Sequence, residues 1–346
     1  LVKFNSTSHP DLFATGDDKD SVWFSSDASG QTTLYHEGVV FDSTDAIFYV
    51  KVDLSSTTDT VIYFWYGTPA ITGTESASDV WTNGYNIYHF EGGNANATSS
   101  ITNGKTLTKY GTITTTTGTA GSGITGFTDS NYFYNSSFAW VTNRANFSTG
   151  KTAVMWYKTS KWTSGKSLIN HERGFYAEQN GSGFISRARA SDCDSAERVV
   201  STASTNWNMY VFQPTSSTYN ILYCIAGSVS ATGTTSTWTS WTFSKDDLYI
   251  GRSYREGCSN PYGTIDELWY FTDLKSVDWV TAVYNNVYTY ATFITIDGAV
   301  TIGSPPIQVY PVWPVSTSHT GTVAAGIGIA AAISTQSDFN RSVSSG

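Results

Sequence analysis

From Ser21 to Phe271 the chain is written as short runs of β-branched and aromatic residues broken by Ser, Thr, Asp, Asn and Gly. Ser21–Ser25 and Gln31–His36 flank a turn at Asp27–Gly30. Ala46–Val52 (AIFYVKV) and Thr60–Tyr66 (TVIYFWY) flank a second. Tyr85–Phe90, Thr152–Lys158, Lys166–Asn170, Gly183–Ala188, Met209–Pro214, Tyr219–Ala226, Asp247–Gly251 and Gly263–Phe271 continue the series. β-branched and aromatic residues fit a pleated, half-buried surface, and short strands at this spacing specify an all-β chain of sandwich type. One helix is expected, opened by Ser276 and carrying Val277, Val280, Val283 and Val287 on one face. Tyr290–Ile296 and Ala299–Ile302 read as a last strand or hairpin.

The 346 residues suffice for about two domains. Charged residues make up 14 % and aromatic residues 15 %, with a net charge of −9. No basic stripe is present to neutralise phosphates, which argues against nucleic acid. No apolar run reaches the roughly 20 residues that a membrane helix needs. Few Lys and Glu beside many Ser, Thr and Asn fit an extracellular or cell-surface protein, where disulfides persist. Of the three cysteines, Cys193 and Cys258 sit in turn-like contexts and form the expected pair, leaving Cys224 as a buried thiol. Asn5, Asn96, Asn135, Asn146, Asn180 and Asn340 head sequons, a number that so many Asn, Ser and Thr also produce by chance. No leader-like segment opens the sequence at Leu1, the pattern expected of a mature chain.

Two resemblances follow from particular motifs. VWFSSDASGQTTLYHE, AIFYVKVDLSSTTDTVIYFWYGTPA and SDVWTNGYNIYHFEGG together resemble a domain of unknown function that commonly precedes laminin-G-like domains in secreted and surface proteins. TAVMWYKTSKWTSGKSLIN, Asn206-Trp207-Asn208-Met-Tyr-Val-Phe, and Leu248-Tyr-Ile-Gly-Arg with Gly263-Thr-Ile-Asp-Glu-Leu-Trp-Tyr-Phe resemble the laminin-G or concanavalin A-like jelly roll. The expected organisation is an N-terminal β-sandwich over 1–75, a connecting strand over 76–93, the jelly roll over 94–303 and an extended tail over 304–346. The resemblance implies carbohydrate binding, protein binding or a spacer role, and the fold alone does not choose between them.

The residue types offer little catalytic chemistry, and no enzyme, cofactor or metal is expected. His9, His36, His89, His171 and His319 lie near no nucleophile-elbow pattern and read as structural. A jelly-roll glycosidase needs two carboxylates projecting to one face. Asp266 and Glu267 are adjacent, so strand alternation sends them to opposite faces; Asp266 then fixes a turn or strand pairing and Glu267 caps the sheet rim. The acidic pairs Asp192/Asp194 and Asp246/Asp247 lack the converging oxygens that calcium needs. Trp23, Trp65, Trp156, Trp207 and Trp269 are expected in cores. Trp238 and Trp241, in a Ser/Thr-rich stretch, are candidate glycan contacts.

The tail carries TVAAGIGIAAAIST over 322–335, with Val323, Ala325, Ile327, Ile329, Ala331 and Ile333 on alternate positions. Pro305, Pro306, Pro311 and Pro314 separate it from the preceding domain, and Ile307, Val309, Trp313 and Val315 extend its apolar set along that arm. Burying four of the large side chains would give roughly 6–12 kcal/mol before ordering costs. The strand can be donated to a neighbouring copy, fold back on its own domain as an edge strand, or stay disordered. Donation, the leading expectation, makes the protein a non-enzymatic subunit of an extracellular filament that assembles head-to-tail on itself. The alternative is a lectin-like module that binds glycans.

Overall fold

The computed structural model describes residues 1–67, 74–93, 95–140, 150–159, 161–163, 165–171, 175–180, 183–189, 195–200, 205–214, 218–225, 228–237, 246–252, 261–297, 300–302 and 328–334. Strands dominate throughout, and the chain is all-β as its patterning requires. It divides into two units: unit 1 comprises Leu1–Val80 and Thr289–Gly346, and unit 2 comprises Trp81–Tyr288. Unit 2 is thus inserted, in sequence, between two segments of unit 1.

In unit 1 the first segment supplies β1 (Val2–Asn5), β2 (Trp23–Ser25), β3 (Thr33–Leu34), β4 (His36–Phe41), β5 (Asp45–Val50) and β6 (Val61–Tyr66), with short helices α1 (Pro10–Ala14) and α2 (Ala77–Val80). Unit 2 supplies β7 (Gly84–Tyr88), β8 (Thr108–Tyr110), β9 (Thr114–Thr117), β10 (Ser122–Thr125), β11 (Tyr132–Asn135), β12 (Thr152–Lys158), β13 (Lys166–His171), β14 (Phe175–Asn180) and β15 (Gly183–Arg189). It continues with β16 (Ser195–Val200), β17 (Asn208–Pro214), β18 (Thr218–Ile225), β19 (Ser228–Thr237), β20 (Leu248–Ile250) and β21 (Thr264–Phe271), and ends in α3 (Val277–Tyr288). The second segment of unit 1 adds α4 (Tyr290–Phe293), β22 (Thr295–Ile296), β23 (Val300–Ile302) and β24 (Gly328–Ser334).

Unit 1 packs a three-stranded sheet, β1-β5-β4, against a sheet ordered β22-β24-β6-β2-β3, in which β23 also pairs β24. Their inner faces meet around Phe4, Phe24, Phe48 and Phe64, with Val2, Leu12, Val22, Ile62, Tyr66 and Ile294 in the same core. Alternation explains the selection: on β6, Ile62, Phe64 and Tyr66 face this core. Trp65 lies between them and stacks on Trp23 at 5.7 Å, its Nε1 donating to Ser25 Oγ at 2.8 Å.

Of the three arrangements expected for the tail, the strand here takes the fold-back one. β24 lies in its own chain's sheet, antiparallel to β6, with Ile329 opposite Tyr66, Ala331 opposite Phe64 and Ile333 opposite Ile62. On its other side Ser334 and Ile333 pair Thr295 and Ile296, and Ala330 pairs Val300. The strand does have a place in its own domain, because β22 and β23 return to unit 1 and pair its edge away from β6. Val323, Ala325, Ile327 and the arm Ile307, Val309, Trp313 and Val315 lie outside the described residues. The segment 289–302, expected in the jelly roll, belongs to unit 1 for the same reason: Ile294 is in its core, and the Tyr290 hydroxyl accepts from Lys3 N at 2.7 Å.

Unit 2 is a sandwich of two antiparallel sheets, β19-β18-β17-β12-β21-β10-β9 and β16-β15-β14-β13-β20-β11-β8. β7, expected to be a connector, pairs β21 and is part of the first sheet. The core between the sheets holds Tyr88, Phe133, Phe138, Trp140, Met155, Tyr157, Tyr210, Phe212, Ile265, Leu268 and Tyr270. Ser276 Oγ accepts from Trp279 N at 3.1 Å and caps α3. The buried stripe of that helix is Val280, Tyr284 and Val287 rather than the four valines, with Tyr284 stacked on Trp156 at 5.6 Å. Among the described residues no helix is long and apolar enough to cross a membrane.

Candidate functional site

Strand alternation in unit 2 also builds an outward-facing feature. On β11, Phe133 enters the core while Tyr132 and Tyr134 take the other face; on β20, Leu248 and Ile250 enter the core and Tyr249 takes the other face. The register sets Tyr132 opposite Tyr110 of the edge strand β8, and Tyr134 opposite Tyr249. The four rings form one continuous platform. Tyr110 and Tyr132 stack at 4.8 Å and 8°, Tyr134 and Tyr249 lie 4.8 Å apart, and Tyr132 and Tyr249 are 6.1 Å apart. Tyr110 is 42 % exposed and the other three are half-buried.

Two glycines fix the platform. Gly111 (φ +64°) ends β8 against Asn131, whose Oδ1 accepts from Thr112 N at 3.0 Å; a Cβ at Gly111 would overlap that side chain. The end of β8 is thereby tied to the start of β11, and Tyr110 is held over Tyr132. Gly251 (φ +82°) lies against Phe127 with no space for a Cβ and donates its N–H to Leu168 O at 2.8 Å. The next residue, Arg252, lays its guanidinium over Tyr132, Cζ 4.6 Å from the ring centroid, while its buried Nε has no hydrogen-bond partner. Burial, followed by the Asp247 carboxylate, pushes the Tyr134 hydroxyl above its ordinary range. The hydroxyl therefore stays a neutral hydrogen-bonding group at any working pH.

The second polar constellation is internal. The register of β21 on β12 slips between Met155 and Tyr157, so Asp266 and Glu267 sit at a β-bulge and escape simple alternation. Both are fully buried, and Glu267 does not cap a rim. His89 Nδ1 lies 2.6 Å from Glu267 Oε2, which also accepts from Trp269 Nε1 at 2.7 Å. Asp266 Oδ2 accepts from the amide and hydroxyl of Thr119 and from Ala120 N at 2.9 Å, fixing the β9–β10 turn. Glu91, half-buried, holds the same turn through Ser122 N at 2.7 Å. Glu267 Oε2 and Asp266 Oδ2 are both taken up by internal donors, while the buried Asp266 Oδ1 has no hydrogen-bond partner.

Burial, reinforced by Glu267 and opposed by the Thr119 and Ala120 bonds, raises Asp266 to about 7, whereas burial lowers His171 to about 3. The consequences have opposite sign. Between pH ~4 and ~7 the unfolded chain releases the Asp266 proton that the folded chain keeps, so stability falls as pH rises. Between ~3 and ~6.5 the unfolded chain protonates His171 and the folded chain does not, so stability rises with pH. Over the shared range the two offset. Asp266→Asn removes one side, and the variant should gain on the parent by up to about 1.4 kcal/mol per pH unit between pH 4 and 7. Thermal unfolding at pH 4, 5.5 and 7 checks this, and parallel Tm curves would refute it.

Among the described residues no three His, Cys, Asp or Glu side chains could hold a metal ion. Asp247 is committed to Tyr134, while Asp192 and Asp194 lie outside the described residues. His36, His89 and His171 are buried, His36 against Phe24 and Phe48, and His171 against Phe138, Trp140 and Tyr270. Of the expected core tryptophans, Trp23, Trp65, Trp156 and Trp269 are buried and Trp207 is half-buried. Trp238, Trp241, Cys193, Cys258, Asn146 and Asn340 are outside the described residues, as is the Asn180 side chain. Asn5 and Asn96 are exposed, whereas Asn135 is half-buried and donates Nδ2 to Thr106 O at 2.7 Å. The tyrosine platform was not singled out from the sequence. Its signal is the Tyr-Phe-Tyr alternation at 132–134 together with Leu-Tyr-Ile at 248–250.

No family model matches the chain, and no curated protein matches it. Among solved structures, the chain is similar to the binding domain of botulinum neurotoxin serotype D (TM-score 0.47, 9 % identity, 59 % of this chain and 52 % of that one). It is also similar to a botulinum neurotoxin type C structure whose cell entry depends on two ganglioside molecules (0.42, 9 %, 52 % and 46 %). A third likeness is to domain 4 of AbnA, an extracellular GH43 arabinanase from Geobacillus stearothermophilus, in complex with arabinotriose (0.44, 13 %, 57 % and 97 %). The chain spans about half the length of the toxin chains it matches.

Proposed function

We propose that unit 2 is a lectin-like, carbohydrate-binding module of a secreted or surface protein, acting by binding and not by catalysis, and that the tyrosine platform is its contact surface. The observation that carries this reading is the pre-stacked pair of exposed Tyr110 and half-buried Tyr132, continued by Tyr249 and Tyr134. Pyranose rings present an apolar C–H face with a polar rim, and tyrosine offers the complement, a flat apolar ring with a hydroxyl tip. Rings already held by sheet register lose little freedom on binding, so contact area converts efficiently to affinity. Arg252, lying over Tyr132, adds a permanent donor beside the rings. Kinship with the laminin-G or concanavalin A-like jelly rolls is part of the same proposal; its support is that LYI and TIDELWYF form β20 and β21. The filament reading loses its main support, because β24 occupies the slot beside β6 within one chain.

Glycan-array screening followed by calorimetry tests the proposal on the full chain. Tyr110→Ala and Tyr132→Ala should each weaken binding about 30-fold, the effect of truncating an anchor worth ~2 kcal/mol. Tyr35→Ala, an exposed tyrosine of unit 1, should leave binding unchanged. Absence of any glycan ligand, or undiminished binding by both platform variants, would overturn the assignment. Trp238→Ala and Trp241→Ala, run in parallel, report on the other candidate contact.

A further inference from the structure

We propose that unit 2 carries a second ligand site, separate from the tyrosine platform, in which Tyr262 and the lysines around it hold an acidic sugar, one bearing a carboxylate or a sulfate. Tyr262, just before β21, is 44 % exposed, yet its backbone is pinned by buried polar groups. Gln179, fully buried at the end of β14, accepts from Tyr262 N at 3.3 Å through Oε1. Its Nε2 lies within hydrogen-bond reach of the Lys161 and Tyr262 carbonyls, both at 3.2 Å. The buried Tyr157 hydroxyl donates to the same Tyr262 carbonyl at 2.8 Å, and Thr159 Oγ1 reaches it as well. Gly263, next in sequence, lies against Lys158 O with no space for a Cβ. Burying a polar group is costly unless it is hydrogen-bonded. Here Gln179, Tyr157 and Thr159 all serve to position one exposed side chain. A ring on so rigid a mount loses little freedom when a ligand stacks on it.

Charge gives the ligand its class. Lys161, exposed, holds Nζ 5.4 Å from the centroid of the Tyr262 ring. Lys158, exposed at the end of β12, pairs Thr264 of β21, and Lys166, half-buried, pairs Gln179 across the β13–β14 ladder. Among the described residues none of these three lysines forms an ion pair. Glu178, the carboxylate next to Gln179, is buried opposite Ser167. Three unpaired cations around one exposed ring make a locally positive spot on a chain of net charge −9. That overall charge repels a long polyanion, so the complement is a sugar with an isolated acidic group. The ring takes its C–H face, and the ammonium groups take the anion.

Calorimetry on the full chain tests this with three trisaccharides of one backbone: neutral, carboxylated and sulfated. All titrations use a Tyr110→Ala background, which disables the platform; failure of the platform reading shows instead as no effect of Tyr110→Ala on the parent. At least one acidic sugar should bind about tenfold or more tightly than the neutral one, and which of the two binds identifies the acid group. The preference should shrink as salt rises from about 50 to about 200 mM. Tyr262→Ala, which keeps the backbone bonds, and Lys161→Gln should each weaken that binding about tenfold, while Tyr262→Phe should retain it. Lys161→Gln alters only an exposed side chain and carries the test should Tyr262→Ala fail to fold. Equal affinity for neutral and acidic sugars, undiminished binding by the Tyr262→Ala and Lys161→Gln variants, or no binding of either acidic sugar at millimolar concentration overturns the proposal.

Discussion

Glu267→Ala is expected to destabilise unit 2 by about 3–5 kcal/mol, among the largest single-residue effects in the molecule. Glu267 is fully buried, and one oxygen serves both His89 Nδ1 and Trp269 Nε1. Removing the carboxylate deprives two buried groups of this acceptor at once, and each lost buried bond costs about 1–3 kcal/mol. The site is also packed: Trp81 lies 4.8 Å from Trp269 and 5.9 Å from His89, so truncation leaves a gap that aromatic rings cannot close. Glu267→Gln can set its amide oxygen at the shared position and accept from both donors without the charge, and a loss smaller than that of Glu267→Ala is expected. The comparison that decides the mechanism is His89→Leu/Glu267→Leu. Replacing both members of a buried polar pair by apolar groups costs far less than breaking it, so the double variant should be more stable than the sum of the two single Leu variants implies. Urea unfolding of the four proteins completes the cycle. Additive losses would mean that packing, and not the polar pair, sets the cost.

This residue also marks the boundary of what the sequence could convey. Strands β2, β5, β6, β12, β17 and β21 were legible because a half-buried strand declares itself locally, through period two and β-branched or aromatic content. The bulge at Asp266 and Glu267 was not legible, since it is a property of how β21 meets β12, and without it the two carboxylates appear to diverge. The tail shows the same limit. Its alternation specified a strand, but whether β6 of the same chain awaited it depended on where β22 and β23 return. The tyrosine platform is the sharpest instance: Tyr110, Tyr132 and Tyr249 become one surface only through pairings of β8 with β11 and of β11 with β20. Local pattern gives each tyrosine a face. Only register gives it neighbours.

Phe64→Ala should remove about 3–5 kcal/mol from unit 1, roughly a fifth or more of the stability of a typical domain. Phe64 is fully buried on β6 and is the hub of the aromatic core. It stacks on Phe4 at 4.5 Å and approaches Phe24 at 4.9 Å, Phe48 at 5.5 Å and Tyr66 at 5.6 Å. Those neighbours come from β1, β2, β5 and β6, so both sheets of the unit converge on one ring and no single backbone shift can refill its volume. Phe64→Leu, which keeps most of that volume, should lose markedly less, and Val61→Ala, at the 40 % exposed start of the same strand, should stay within about 0.5 kcal/mol of the parent. The parallel Trp23–Trp65 pair, 5.7 Å apart at 3°, supplies a near-ultraviolet circular dichroism signal from unit 1, isolated from the unit 2 tryptophans by difference against a Trp23→Phe control. Its loss with urea gives the midpoint for each variant. Equal midpoints for Phe64→Ala and Val61→Ala would mean that the stability of unit 1 does not reside in the interface between its two sheets.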